Sequence, residues 1–436
     1  MRPKQKYTQT GAATLVVVMV LFLIMAMMAA YANRNMIFEQ RIASNYYRMG
    51  VSSEAAEAGL EWTVAMLNGL NVNASCREAA GASERFRDRY LNVASDRAIT
   101  EKLAAGYVSN CVRTNAGNSW ACRCPNPSAA GLPAPPAVAA GDTMQPGFAV
   151  SIIPPPVTSP TLKNRPGAVR LRVDGCSSGN YVDCRNPTAM ASQLLSLTVA
   201  EVDVSLISAL KNPPASPLTV KGTLTVGATG LGLHNSDPRS AGILMVSGQP
   251  ALATLTPYSD RLDSLPGTPG LTAIIENESN LSGSSAARMF SMYFGMTAPQ
   301  YRDQPAMRMV NCPAGADCSG TLLAAYNRGV RMAWIEGPLV LQANITLGTD
   351  ASPMVIIATG DVAIDGPMTI SGLLYARGDL RWTNAGADVS LLKGALLVEG
   401  DMDASGRVDL WYRSAIIDAL KNQTGSFVRV PGSWWN

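Results

Sequence analysis

Eight cysteines are the residues in this chain with the clearest chemistry: Cys76, Cys111, Cys122, Cys124, Cys176, Cys184, Cys312 and Cys318. Two pairs are close in sequence, around "CSSGNYVDC" and "CPAGADC". Their spacing suggests the disulfides Cys176–Cys184 and Cys312–Cys318. Cys76 and Cys111 would then pair with Cys122 and Cys124, in an order that spacing leaves open. An even number of cysteines, all beyond one long apolar tract, favours disulfides formed on the exported side of a membrane. Zinc is the competing chemistry. It calls for histidines or paired CxxC knuckles, and the chain has one histidine, His234, and no such pair.

Acid–base chemistry has thinner candidates. Asp361, Asp365, Asp401 and Asp403 stand in or near Gly-Asp settings that read as turns. His234 lies in "LGLHNSDP", an apparent loop, with no identifiable partner. The "RGD" of Arg377–Asp379 also reads as a turn. HExxH and P-loop patterns do not occur, nor does an EF-hand pattern for calcium. These readings predict no catalytic residue, no cofactor and no metal site, and so no enzyme.

The elements that carry these residues follow from composition. A chain of 436 residues has a soft prior of roughly two to three domains. Charged residues make up 15%, and Gly 38 and Pro 28 favour turns and short strands. The net charge of +3 is local. Arg2, Lys4 and Lys6 precede the apolar tract, and the remainder carries 32 basic and 32 acidic side chains, which gives no basic surface for nucleic acid.

From Ala12 to Ala32 no residue is charged, and only Thr14 and Tyr31 are polar. A helix of this length spans about 31 Å, enough for a bilayer core. The positive charges before it predict a cytoplasmic N-terminus and an exported remainder. A cleaved secretory signal is the rival, because "AYA" at Ala30–Ala32 fits its small-x-small site. Beyond the tract, Ile42, Tyr46, Met49, Ser53, Ala56, Leu60, Val64 and Leu67 recur every three or four residues, one stripe of a helix. "NGL" at Asn68–Leu70 offers its end. One helix from Ala12 to about Asn68 would run about 85 Å. Gly50 and Gly59 would each weaken it by up to about 1 kcal/mol.

A short basic leader ending in glycine and running into an apolar helix resembles the class III signal of type IV pilins and pseudopilins. The resemblance implies cleavage after Gly11 by a prepilin peptidase, with Ala12 as an N-methylated mature terminus. Major pilins carry glutamate at the fifth mature position, and here that position is Val16. The departure argues against a major pilin and is compatible with a subunit that enters the filament first. Glu39, Arg41, Ala43, Asn45, Glu54, Ala55, Ala56 and Glu57 sharpen the likeness, because "FEQRIASNYYRMGVSSEAAEAGLEWTVAML" resembles the PilX-type minor pilins. The likeness covers roughly residues 8 to 68. It implies a non-catalytic part in a priming or tip complex of type IV pilus assembly. The implied partners are other minor pilins, the major pilin, a tip adhesin and the inner membrane. The implied location is a single-pass inner-membrane protein with a periplasmic C-terminus, later part of an extracellular pilus. The tip pseudopilin of a type II secretion system is the alternative, and a secreted carbohydrate-acting β-solenoid enzyme is a more distant one.

The expected fold is α+β, with 1–11 as leader, 12–32 as anchor and filament-core helix, 33–210 as a pilin-like periplasmic domain and 211–436 as a β-rich head. Within it, "SERFRDRYLNVA" and "RAITEKLAAGYV" read as short helices, 125–166 as a proline-rich loop holding one strand, "GFAVSII", and 168–176 and 194–207 as half-buried strands. From residue 330 a motif recurs: "IEGPL", "ATGDV", "IDGPM", "ARGDL" and "VEGDM", with Gly337, Gly360, Gly366, Gly378 and Gly400. The steps 337 to 360 to 378 to 400 are 23, 18 and 22 residues. The motif predicts a β-solenoid-like stack with glycine supplying positive φ at its turns; an antiparallel sandwich is the competing reading. "GSSAARMFSMYFGMT" reads as a helix contributing core residues. "YRSAIIDALKN" reads as a helix capping the stack's open end, and Trp434 and Trp435 as plugging an edge.

Overall fold

The computed structural model describes residues 11–79, 81–102, 108–114, 119–127, 134–136, 145–153, 166–193 and 195–434. The fold is α+β: a long helix, an antiparallel sheet and a large stack of parallel strands. The helix runs without interruption from Gly11–Leu67. It has two parts. From 13 to 43 every residue is exposed, and the first buried residue is Ser52. From there Ser52, Ala55, Ala56, Gly59, Leu60, Thr63 and Leu67 turn inward. Ile42, Tyr46 and Met49 of the expected stripe stay exposed, because the sheet does not reach that far along the helix.

That inward face lies on a six-stranded antiparallel sheet. Its order is Gly425–Arg429, Leu197–Ser208, Ala168–Cys176, Gly147–Ile153, Ser109–Thr114 and Ser119–Arg123. Period-two alternation sends Val169, Leu171 and Val173 into the core with Leu60, Leu67 and Phe148. The opposite face carries cross-strand charge pairs: Arg170 sits opposite Asp203 and Arg172 opposite Glu201, with an Arg170–Asp203 distance of 2.8 Å. The helix approaches closely because its contact residues are small. A Cβ on Gly175 would stand 2.2 Å from the Ser52 carbonyl oxygen, and one on Gly59 would stand 2.5 Å from Val173 Cγ1.

The edge strand of this sheet, Gly425–Arg429, is the last strand of the chain. This corrects the expected boundaries, because part of 211–436 returns to the first sheet. The buried side chain of Asn68, at the end of the long helix, receives the Phe427 N–H on Oδ1 at 2.8 Å and donates to the Phe427 carbonyl at 2.8 Å. Two of the expected short helices also change. "SERFRDRYLNVA" contains only Phe86–Tyr90 as helix, and Ile99–Glu101 of "RAITEKLAAGYV" is a strand paired with Leu91–Val93. β-branched Val93, Ile99 and Thr100 favour that hairpin. Residues 103–107 and most of the proline-rich 125–166 lie outside the described residues.

The second half is a three-sided stack of parallel rungs, which overturns the antiparallel sandwich. On the first side the order along the stack is 308–309, 332–335, 354–358, 373–376, 395–398, 218–220, 245–247 and 274–275. The second side runs 339–341, 362–365, 380–384, 402–406 and 224–226. The third runs 346–347, 369–370, 391–392, 408–411, 231–234 and 262–263, in parallel ladders. Spatial order therefore departs from chain order: the segment 218–220 stacks beside 395–398. Ile356, Leu374 and Leu396 fill the interior. Val355, Ile357, Tyr375 and Leu397 face outward and are covered by Phe290 and Phe294 of the helix Ala286–Phe294. Those aromatics are core residues, as their sequence suggested. The helix Ser414–Asn422 joins the same cover through Ile416, Ile417 and Leu420. It flanks the stack instead of capping its end, because its apolar face matches the outward side chains. Trp434 is 40% exposed, with the Arg429 guanidinium 5.6 Å from its ring centre. Trp435 lies outside the described residues.

The two helix glycines should respond in opposite ways. Gly50→Ala meets nothing within 4 Å, so it should shift stability by no more than about 1 kcal/mol, in the stabilising direction. Gly59→Ala should destabilise by about 1–3 kcal/mol, because its methyl overpacks Val173 and Phe148. Thermal or urea unfolding of the full chain in detergent measures both.

Candidate functional site

The N-terminal surface is the largest candidate. Gly11 begins the described helix, and nothing lies within 4 Å of where its Cβ would be. Ala12 is in the helix, and its side chain lies outside the described atoms. Val16 is 59% exposed amid an apolar surface that continues through Leu15, Phe22, Met28 and Phe38. The helix is long and apolar enough to cross a membrane, and its apolar stretch is wholly unburied. Glu39, Arg41, Ala43 and Asn45 are exposed along the same projection. In the "EAAEA" segment Glu54 and Glu57 face out, and Ala55 and Ala56 pack on the sheet. Ser52 fixes the point of departure: its hydroxyl lies 2.7 Å from Thr198 Oγ1 and 3.1 Å from Ser196 Oγ.

The cysteines form four disulfides: Cys76–Cys124, Cys111–Cys122, Cys176–Cys184 and Cys312–Cys318. The first ties the loop after the long helix to the end of an edge strand. The second crosses two neighbouring strands at paired positions. The third closes the loop beyond strand Ala168–Cys176, and the fourth precedes the helix Ser319–Asn327.

The aspartates are brought together at one corner of the stack. Asp361 Oδ1 accepts the Asp379 N–H at 2.9 Å, Asp379 Oδ1 accepts the Asp401 N–H at 2.8 Å, and Asp401 Oδ1 accepts the Thr223 N–H at 2.7 Å. Beside them runs a glycine column, in which the N–H groups of Gly360, Gly378, Gly400 and Gly222 each donate to the carbonyl of the glycine one rung before. Gly337 and Gly366 have positive φ, of 87° and 101°. Gly360, Gly378 and Gly400 do not, which corrects the reason for glycine there. A Cβ on Gly378 would stand 2.1 Å from Asp361 Oδ1, and one on Gly400 would stand 2.3 Å from Asp379 Oδ1. Glycine makes room for the carboxylate of the rung below. The fifth rung, "VKGTL" at 220–224, escaped sequence reasoning because it precedes the others by more than a hundred residues and has Thr223 in the aspartate's place. Its visible signal was the shared Gly-x-apolar form.

Asp403 lies in the strand Met402–Gly406 and Asp365 ends the strand Val362–Asp365, so neither is a simple turn residue. Asp365 is held below the ordinary carboxylate range chiefly by the Thr383 hydroxyl. An open groove of about 420 Å³ runs past Asp361, Asp379, Asp401, Asp403 and Arg381. Three of its four carboxylates are engaged by backbone N–H groups. The "RGD" side chains have partners within the fold. Arg377 lies 3.4 Å from the nearly buried Glu399, and Asp379 belongs to the ladder. Burial pushes Glu399 above the ordinary range even though its carboxylate accepts the Tyr375 hydroxyl at 2.7 Å.

His234 ends the strand Leu231–His234 and has partners, which corrects the loop reading. Its Nδ1 lies 2.7 Å from Asp263 Oδ2, and its ring stacks on Trp411 at 4.2 Å. Asp409 is 4.0 Å from Nε2, too far for a hydrogen bond. Burial raises Asp409, but His234 and Arg261 outweigh it and bring the carboxyl below its ordinary range. The arrangement pins three adjacent rungs. No cluster of three or more metal-ligating side chains occurs among the described residues.

No family model matches the chain, and no curated protein does. Among solved structures, the competence-associated pilin ComZ from Thermus thermophilus aligns at 11% identity over 89% of this chain and 97% of that one, with a TM-score of 0.21. At that score the alignment establishes no shared fold, and the functional reading rests on the chain's own residues.

The corner ladder gives a pH prediction. Asp401 is held below the ordinary aspartate range, first by the Thr223 N–H. A carboxyl lowered in the folded state stabilises above its unfolded value of about 4, and that contribution disappears as pH falls through the folded value. Asp401→Asn should therefore flatten the fall in melting temperature below about pH 4. An unaltered profile would assign the ladder no part in acid stability.

Proposed function

We propose that this chain is a PilX-like minor pilin with an enlarged head. It is made as a membrane-anchored precursor, cut after Gly11, and joined to a priming or tip complex of a type IV pilus. The observation that carries the reading is the division of the long helix at Ser52. One part packs on a sheet, and the other projects residues 13–43, apolar through Ala32 and exposed throughout among the described residues. The basic leader and Gly11 precede that projection. A bilayer first and neighbouring helices later are the two environments that suit it.

The mechanism is assembly. Apolar helices leaving lipid gain dispersion and close packing from one another, since lipid is as apolar as leucine. A buried charge in such a bundle is costly unless paired. Val16 therefore suits a subunit with no earlier neighbour whose terminal amine needs neutralising. The disulfide-closed head remains on the periplasmic and then the outer side, where it meets other minor pilins, the major pilin and a tip adhesin. The tip position of a type II secretion pseudopilin would use the same features.

Mass spectrometry of the mature N-terminus from native membranes or sheared pili tests the reading. The expected start is a methylated Ala12, and Gly11→Leu should leave the chain uncut and the cell without normal pili. A start at Asn33 would mean the tract is discarded as a secretion signal. Normal pili built with an uncut chain would end the proposal.

A further inference from the structure

A cavity of about 200 Å³ lies where the segment 85–102, the parallel stack and the end of the C-terminal helix meet. Arg85, Arg87, Lys102 and Arg331 line it, with one carboxylate, Asp88. Arg85 takes both oxygens of that carboxylate, Nε–Oδ2 at 2.6 Å and Nη2–Oδ1 at 3.0 Å. Arg87 is only 4% exposed. It donates to the carbonyls of Gly425 at 3.0 Å and Gln423 at 2.6 Å, and its Nε is 3.7 Å from Asp88. Arg331 donates to the Ser352 hydroxyl at 2.8 Å and to the Tyr326 and Val330 carbonyls. Lys102 Nζ donates to the Asp88 carbonyl at 2.7 Å. Four cations thus share one carboxylate. Neutral carbonyls satisfy donors without cancelling charge, and buried like charges short of a counter-ion are costly.

We propose that this cavity binds an oxyanion of the phosphate or sulfate type. Arg85, Arg331 and Lys102 supply the donors, and Arg87 supplies the buried charge behind them. Guanidinium forks match such oxyanions in shape, and the lysine adds a mobile point charge. Burial, with Arg85 beside it, pushes the Arg87 guanidinium down to about 9, and the same causes push Arg331 down to about 10. That is the direction expected of cations lacking compensation. The bound anion would bridge three segments that otherwise meet through few charges of opposite sign. The site is independent of the pilin reading and would exist whether or not the helix enters a filament.

Calorimetric titration of the full chain in a non-ionic detergent tests this, with inorganic phosphate in one arm and glucose 6-phosphate in the other, at constant ionic strength set with sodium chloride. Saturable one-to-one binding is expected in at least one arm. Lys102→Met and Arg331→Met should each weaken it at least tenfold. Lys102 is exposed, so its variant should keep the parent melting temperature in phosphate-free buffer and separate lost binding from lost folding. Tighter binding of the sugar phosphate would assign the site to a phosphomonoester on a larger molecule, and tighter binding of phosphate to the free anion. No saturable binding in either arm, or binding unaltered in both variants, would overturn the proposal.

Discussion

The structure depends on one ladder contact. The segment 218–220 lies between 395–398 on one side and 245–247 on the other. A parallel rung has unpaired N–H and C=O groups on both long edges and needs a neighbour at each. This contact supplies a neighbour for the first rung made and for the last. It also fixes the path of the chain. After 274–275 the chain stands at one end of the stack and must resume at 308–309, seven rung spacings away, roughly 34 Å at about 4.8 Å each. The residues that make the journey include Ala286–Phe294, and they cross the outward face that most needs covering. The detour is the cover. The two terminal rungs of that side are two residues long, which leaves little edge for unwanted pairing.

Two different constraints hold the sheet side and the stack side, and they meet at Asn68. The long helix needs small residues where it crosses strand Ala168–Cys176, so its affinity for the sheet comes from close approach as much as from apolar area. The stack needs glycine where carboxylates pass from rung to rung. At the helix end, Asn68 hydrogen-bonds the backbone of Phe427, and its own carbonyl accepts from Arg308 Nη2 at 2.7 Å. Phe427 belongs to the returning strand and Arg308 to the stack's first rung. One residue therefore ties together the helix, the sheet and the stack.

Much of this was legible in the residue pattern, and the failures have physical causes. The tract from Ala12 to Ala32, the alternating strands at 168–176 and 197–208, and the buried aromatics of 286–294 all follow from local periodicity. The steps of 23, 18 and 22 residues proved to be the vertical register of the second side, since Leu339, Val362, Leu380 and Met402 are successive partners. A repeat reports register, but it says nothing of which rung comes next in space. The place of Thr223 and the rung at 224–226 beside 402–404 was hidden for that reason, as was that of the strand Gly425–Arg429, whose partner lies more than two hundred residues earlier. His234 looked solitary because its partners come from two other stretches of chain, Asp263 from one and Asp409 and Trp411 from the other. The cations at 85, 87, 102 and 331 likewise come together from separate stretches of a chain whose charges balance overall. Charge balance along a sequence does not reveal charge balance in a cavity.

The division of the helix at Ser52 has a mechanical consequence. Force applied to the projecting part is transmitted along an unbroken backbone helix into the packed part. There it meets the sheet across the contacts of Gly59 and Gly175, on the interior strand Ala168–Cys176 and not on an edge strand. At Asn68 the same load divides between the sheet's last strand and the stack's first rung. The Cys76–Cys124 disulfide closes the loop that follows, so separation of that loop from the sheet would require breaking a covalent bond. The head is thus fastened to one helix end at three points: the returning strand, the rung at 308–309 and the disulfide-closed loop.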